Sequence, residues 1–150
     1  MSQTSRGFLC TPQQVFDVLQ DGWLYATWVV GASRIRDVDA DWPAVGSRIH
    51  HSAGVWPMLI NDVSLVKEYD PPHTLLLQAK GWPAGEAHIR LTVTPSPGGC
   101  TVTIREDATA GPGRLVPPPV RHALLGWRNR ESLNRLQMLA EGRAGHHPAS

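Results

Sequence analysis

The run EAHIRLTVT at positions 86–94, the turn PSPGG at 95–99 and the run CTVTIREDA at 100–108 decide how this chain folds. In the first run, Ala87, Ile89, Leu91 and Val93 alternate with Glu86, His88, Arg90 and Thr92. A period of two puts the apolar set on one face of a β-strand and the polar set on the other. From Thr101 to Ala108 the pattern alternates again, with Val102 and Ile104 inward. Two such runs joined by a short segment rich in Pro and Gly form an antiparallel hairpin. One face of it is buried, and the alternation carries Glu106 to that face.

Working outward, more strand-like segments precede the hairpin: Ser33 to Asp39, Ser47 to Ala53, Leu59 to Tyr69 and Thr74 to Lys80. They are punctuated by Trp42-Pro43 and Gly46, by Asp70-Pro71-Pro72 and by Gly81-Trp82-Pro83, residues that break strands and make turns. Ser5 to Cys10 makes a short first strand. Thr11-Pro12-Gln13-Gln14 is a helix start: Thr11 caps, Pro12 suits the first helical position and Gln14 completes a capping box. Val15, Phe16 and Leu19 give that helix an apolar face, and Gly22 fits its stop. Trp23, Leu24, Tyr25 and Trp28 suggest a second short helix. After Gly111-Pro112-Gly113 and Pro117-Pro118-Pro119, a long helix runs from about Pro119 to Glu141. Leu125, Asn129, Ser132, Leu133, Leu136 and Ala140 form one stripe on it at helical spacing. Val120, Leu124 and Trp127 form a second stripe, suited to a sheet edge or another chain. The expected class is α+β: a curved antiparallel sheet of about seven strands wrapped on a long C-terminal helix. Such a sheet does not close fully against one helix, and the gap is a natural apolar pocket.

Composition narrows the function. At 150 residues one domain is the default, spanning 1–141 with a tail at 142–150. A formal net charge of +1 leaves no electrostatic footprint for nucleic acid. The arginines at 121, 128, 130 and 135 are expected on a solvated helix face. No run approaches the ~18 apolar residues of a membrane span. Cys10 and Cys100 have no motif spacing and are expected as free thiols in a cytoplasmic protein. No His, Cys and carboxylate set has metal spacing, so neither a metal nor another cofactor is expected.

Several segments resemble the START / birch-pollen-allergen (SRPBCC) superfamily, and most of all its polyketide cyclase/dehydrase-like branch. They are TPQQVFDVL at the opening helix, GSRIHH after Trp42-Pro43, KEYDPPHTLLLQAKG, VTIREDATAGP and RNRESLNRLQMLAE. The resemblance covers roughly residues 5–141. It implies a helix-grip fold with a pocket between sheet and helix. Members include ligand carriers, aromatic polyketide cyclases, hydroxylase subunits and stress-response proteins. The superfamily shares a pocket and little common chemistry.

Candidate chemistry is sparse. Glu106, inward by alternation, would have a raised pKa in an apolar pocket and could act as acid or base. His50 and His51 point to opposite faces of a strand, and His51 shares the inward side with Ile49. His51 and Glu106 are therefore the candidate catalytic pair. Asp62 is either a surface charge or a pocket group, because the phase of its strand is ambiguous. His88 reads as outward. Trp28, Trp56 and Trp82, with their broad apolar faces, suit an aromatic or flat ligand. With Asp62, Leu91, Ile104, Leu125, Asn129 and Ser132 they make up the expected ligand-binding set. The leading expectation is a binder of a small hydrophobic molecule, lipid-like or aromatic. A polyketide cyclase/dehydrase-type enzyme comes next. An interaction module, using the Arg-rich helix and Trp127 and possible as a homodimer, is third.

Overall fold

The computed structural model describes residues 2–29, 32–53, 60–81, 85–110 and 117–143, with the backbone alone at 2, 32–34, 53, 60–62, 80, 81, 85, 108–110, 118, 121, 122, 125 and 143. Seven strands form one antiparallel sheet: β1 (Ser2–Phe8), β2 (Ala32–Val38), β3 (Arg48–Ala53), β4 (Ile60–Asp70), β5 (Thr74–Gly81), β6 (Gly85–Ser96) and β7 (Gly99–Ala110). Their order is β1-β7-β6-β5-β4-β3-β2. Helices α1 (Pro12–Leu19) and α2 (Tyr25–Trp28) lie between β1 and β2, and α3 (Pro118–Arg143) follows β7. This is the α+β helix-grip arrangement that the sequence predicts.

The hairpin that decides the fold has the register alternation requires. Leu91 pairs with Ile104 and Val93 with Val102, and all four are buried. Gly98 adopts φ +79°, in the left-handed region that Gly enters without penalty. A side chain at Gly99 would collide with the Phe8 carbonyl, so a glycine there lets β1 close onto β7. Register shifts between Val66 and Glu68 in β4, between Glu86 and Ala87 in β6, and at two places in β2 bend the sheet.

Helix α1 begins as its sequence dictates. Thr11 accepts from the Gln14 backbone N–H and Gln14 reaches back to the Thr11 N–H. Its Val15, Phe16, Val18 and Leu19 are buried. Gly22 does not end the helix: Gln20 is the C-cap, and Gly22 opens a 3-10 turn capped by Asp21. The first strand starts earlier than expected and stops at Phe8; Leu9 is exposed and its backbone N–H donates to Glu141 of α3. On α3 the predicted stripe holds: Asn129, Ser132, Leu133, Leu136 and Ala140 are buried. The helix runs on to Arg143, past the expected start of the tail, and residues 144–150 lie outside the described ones. The second stripe does not pack on the sheet edge. Val120, Leu124 and Trp127 are exposed, because α3 already spends its opposite face on the core. Cys10 and Cys100 are buried free thiols, and burial pushes the Cys10 thiol up to about 12. No described helix is long and apolar enough to cross a membrane.

Candidate functional site

Buried polar side chains gather on the inner face of the sheet in two clusters. The first joins β3, β4 and α2. Ile49 is fully buried, so alternation turns His51 inward, where it is 4% exposed. The register pairs Ile49 with Ser64 and His51 with Asp62, and Ser64 and Val66 are both buried. Positions 64 and 66 of β4 thus share the inner side of the pleat. Ser64 Oγ lies 3.0 Å from His51 Nε2 and 2.9 Å from the hydroxyl oxygen of Tyr25. The Tyr25 ring packs 5.1 Å from the imidazole and meets Trp28 edge-on at 5.7 Å. Burial pushes the His51 imidazole down to about 4, with Arg36 and His50 adding in the same direction against the Ser52 backbone. His51 is therefore neutral at neutral pH, with one ring nitrogen to donate and one to accept. Its Nδ1 is sealed from solvent and makes no well-formed hydrogen bond among the described residues.

The second cluster joins β7 to α3. Glu106 pairs with Ile89 across the hairpin and is 4% exposed, as inward alternation requires. Its carboxylate accepts a hydrogen bond from Arg128 Nη2. Burial raises the Glu106 pKa, and the charge and hydrogen bond of Arg128 pull against that without cancelling it. Beside Arg128, Asn129 is 3% exposed and its Nδ2 has no partner among the described residues. Ser132, one turn on, is also buried.

Two sequence expectations need correction. Glu106 and His51 do not form a pair. Their strands are separated by β4, β5 and β6, on the order of 19 Å along the sheet. Glu106 is held by Arg128 and His51 by Ser64. Nor is Arg128 a member of a solvated arginine face: it flanks the buried stripe and turns in to the one carboxylate buried among the described residues. The other arginines behave differently. Arg130 is exposed, Arg135 bonds Glu131 on the helix surface, and the Arg121 side chain lies outside the described residues.

Of the expected ligand-binding residues, Trp28, Leu91, Ile104, Asn129 and Ser132 are all buried between sheet and helices. Trp56 and Trp82 lie outside the described residues, as do the side chains of Asp62 and Leu125. His88 faces outward with Leu76, Arg90, Arg105 and Asp107, round a 190 Å³ hollow on the outer face of the sheet that also reaches Glu106. His50 is likewise on the outside, 3.5 Å from Asp39. A wider open groove of 420 Å³ is lined by Asp17, Asp21, Trp23, Asp39 and Trp42 among others. Sequence reasoning missed Tyr25, Ser64 and Arg128. The signal for Ser64 was its place two residues before Val66. The signal for Arg128 was the need of a buried Glu106 for a cation.

The family described as polyketide cyclase / dehydrase and lipid transport matches residues 2–141. Among solved structures, a conserved protein from Geobacillus kaustophilus superposes with a TM-score of 0.72 at 15% identity, over 93% of this chain and 94% of its own. A protein from Chromobacterium violaceum gives 0.69 at 18% identity, over 91% and 94%. The di-domain ARO/CYC StfQ of the steffimycin biosynthetic pathway gives 0.70 at 13% identity, over 95% of this chain and 51% of its own. At these identities the likeness is one of fold. Nothing among curated proteins matches the chain.

Proposed function

Since the chain belongs to the polyketide cyclase/dehydrase and lipid-transport family, we propose that it binds a small hydrophobic molecule, lipid-like or aromatic, between the sheet and α3. The observation that carries this is the set of polar side chains buried on facing surfaces there: His51, Ser64, Glu106, Asn129 and Ser132. A core built for stability alone would be apolar, because each buried polar group costs free energy unless it is fully paired. Two of these groups, His51 and Asn129, hold an atom with no partner among the described residues. A ligand resolves that cost. Leu91 and Ile104 give it an apolar wall, Trp28 a flat one, and Asn129 and Ser132 a polar edge. Asp62, whose backbone stands opposite His51 in the register, is kept in the proposed binding set. A two-ring ligand burying ~200 Å² of apolar surface would gain about 5 kcal/mol before the costs of immobilisation.

Binding is preferred to turnover on geometry. General acid–base chemistry needs both groups within reach of one reacting atom. Glu106 and His51 instead belong to separate clusters with separate partners. Native mass spectrometry of freshly purified protein tests the proposal. The expected result is a population heavier than the bare chain by one small molecule, released by organic solvent. A bare mass in every preparation, together with no uptake of neutral aromatic probes, would overturn it.

A further inference from the structure

We propose that Cys10 and Cys100 form an oxidation site: a peroxide converts this buried thiol pair into a disulfide that ties the start of α1 to β7. Cys100 is the attacking sulfur and Cys10 the resolving one. The inference stands apart from the ligand binding proposed above.

The fold brings the two sulfurs together from distant parts of the chain. Phe8, the last residue of β1, pairs with Cys100 at the start of β7, and Cys10 follows two residues on, just before α1. The backbones approach closely there. A Cβ at Gly99 would stand 1.9 Å from the Phe8 carbonyl oxygen and 3.1 Å from Leu9 Cα. The same turn is tied to α3, since the Leu9 N–H donates to Glu141 Oε2 at 3.0 Å. Both cysteines are buried. The Cys10 thiol donates a hydrogen bond to the Cys100 sulfur. Two thiols in such contact lie within about 4 Å, so an S–S bond of about 2 Å needs side-chain rotation and a small backbone shift, not a rebuilt sheet.

That hydrogen bond also ranks the two sulfurs. Burial raises both thiols, and the Glu141 carboxylate adds to the rise at each. The bond from Cys10 works against the rise at Cys100 and adds to it at Cys10. Cys100 therefore gives up its proton more readily, and the thiolate is the nucleophile. The Cys100 thiolate attacks one peroxide oxygen and the O–O bond breaks. The proton that Cys100 lost goes to the leaving hydroxide, which becomes water, and Cys100 holds a sulfenic acid. The Cys10 sulfur then attacks the Cys100 sulfur, the S–O bond breaks, and the Cys10 proton leaves with that oxygen as a second water. Two thiols lose two electrons and one peroxide becomes two waters. The raised thiols make the reaction slow, on the order of hours. β1 is an edge strand, so its end can open to a small oxidant without unfolding the sheet. The finished bond closes a loop of about 90 residues and restricts the unfolded chain.

The test exposes the reduced, folded protein to hydrogen peroxide and maps the product by mass spectrometry without reduction. The expected product is lighter by two hydrogens, yields one peptide pair linking Cys10 to Cys100, and reverts with dithiothreitol. Its Tm should rise by at least about 5 °C. In Cys10→Ser the reaction should stop at a Cys100 sulfenic acid, trapped by dimedone added with denaturant at the quench. In Cys100→Ser the Cys10 thiol should survive the same exposure. Two intact thiols in the parent protein, under conditions that fully oxidise a free cysteine peptide, would overturn the proposal. So would oxygen added to each cysteine without a link, or a linked product that melts below the reduced protein. Sulfenic acid at Cys10 in Cys100→Ser, with none at Cys100 in Cys10→Ser, would overturn the assigned roles. The mapping of the parent protein needs no variant, so a variant that fails to fold leaves the decision intact.

Discussion

Replacing Arg128 by Met isolates the electrostatics that join β7 to α3. The substitution keeps most of the apolar stem and removes the guanidinium that donates to Glu106. Glu106 stays 4% exposed and loses its partner. Breaking a buried pair from one side costs about 3–5 kcal/mol. Arg128 keeps 35% of its side chain in solvent, so part of its attraction is already screened. A loss of about 2–3 kcal/mol is therefore expected at high pH.

The sign with pH follows from the burial of Glu106. Its folded pKa lies above the ordinary 4.5 even with Arg128 in place. Between 4.5 and that raised value the folded state binds more protons than the unfolded one, so stability falls as pH rises through the window. Without Arg128 the two influences that lower the pKa disappear and the window extends upward. The cost of Arg128→Met should accordingly grow with pH, from under about 1 kcal/mol at pH 4.5 to about 2–3 kcal/mol at pH 8. Urea denaturation of both proteins at the two pH values measures it. In a Glu106→Gln background the same substitution should cost under about 1 kcal/mol at either pH. Equal losses at both pH values and in both backgrounds would show that Arg128 acts by packing alone and would refute the reasoning.

Further outcomes are expected elsewhere. Thr11→Ala removes the cap of α1 and should lower stability by about 0.5–2 kcal/mol in chemical denaturation. Leu136→Ala, at a fully buried position of α3, should cost about 2–5 kcal/mol and weaken amide protection along the helix. His51 has the opposite pH signature to Glu106. Its folded pKa of about 4 lies below the ordinary 6.5, so its contribution is fully present above pH 6.5 and is lost as pH falls toward 4. The full drop approaches about 3 kcal/mol and should vanish from the pH–stability profile of His51→Gln.

The difference between what the sequence made legible and what it hid has a physical origin. Strand faces, the capping box and the α3 stripe are local. Each depends on neighbours two, three or four residues away, and Val102, Ile104 and Glu106 declare their side by period alone. Positions in β4 were ambiguous for a local reason as well. Apolar residues stand at both phases, Val63 and Leu65 at one and Ile60 and Val66 at the other, so period alone does not choose the inner face. Only the pairing of Ile49 with Ser64, a long-range fact, decides it.

Partners are less legible still. A buried carboxylate requires compensation, and that much follows from Glu106 alone. The sequence contains many cations, and which one answers depends on where α3 crosses β7. Arg128 answers because it flanks the buried stripe next to Asn129, on the side that meets the end of the hairpin. His51 was assigned the wrong partner for the complementary reason. Inward alternation puts it in the same interior as Glu106 but does not say that three strands lie between them. The same geometry makes the site asymmetric. The β7–α3 end is charged, paired and linked to solvent through Arg128. At the β3–β4 end the described polar side chains are a neutral hydrogen-bond chain of His51, Ser64 and Tyr25, with Trp28 against the Tyr25 ring. A ligand lying along Leu91 and Ile104 would then meet a neutral hydrogen-bond chain at one end and a fixed ion pair at the other, which fixes its direction before any detail of its rings is chosen.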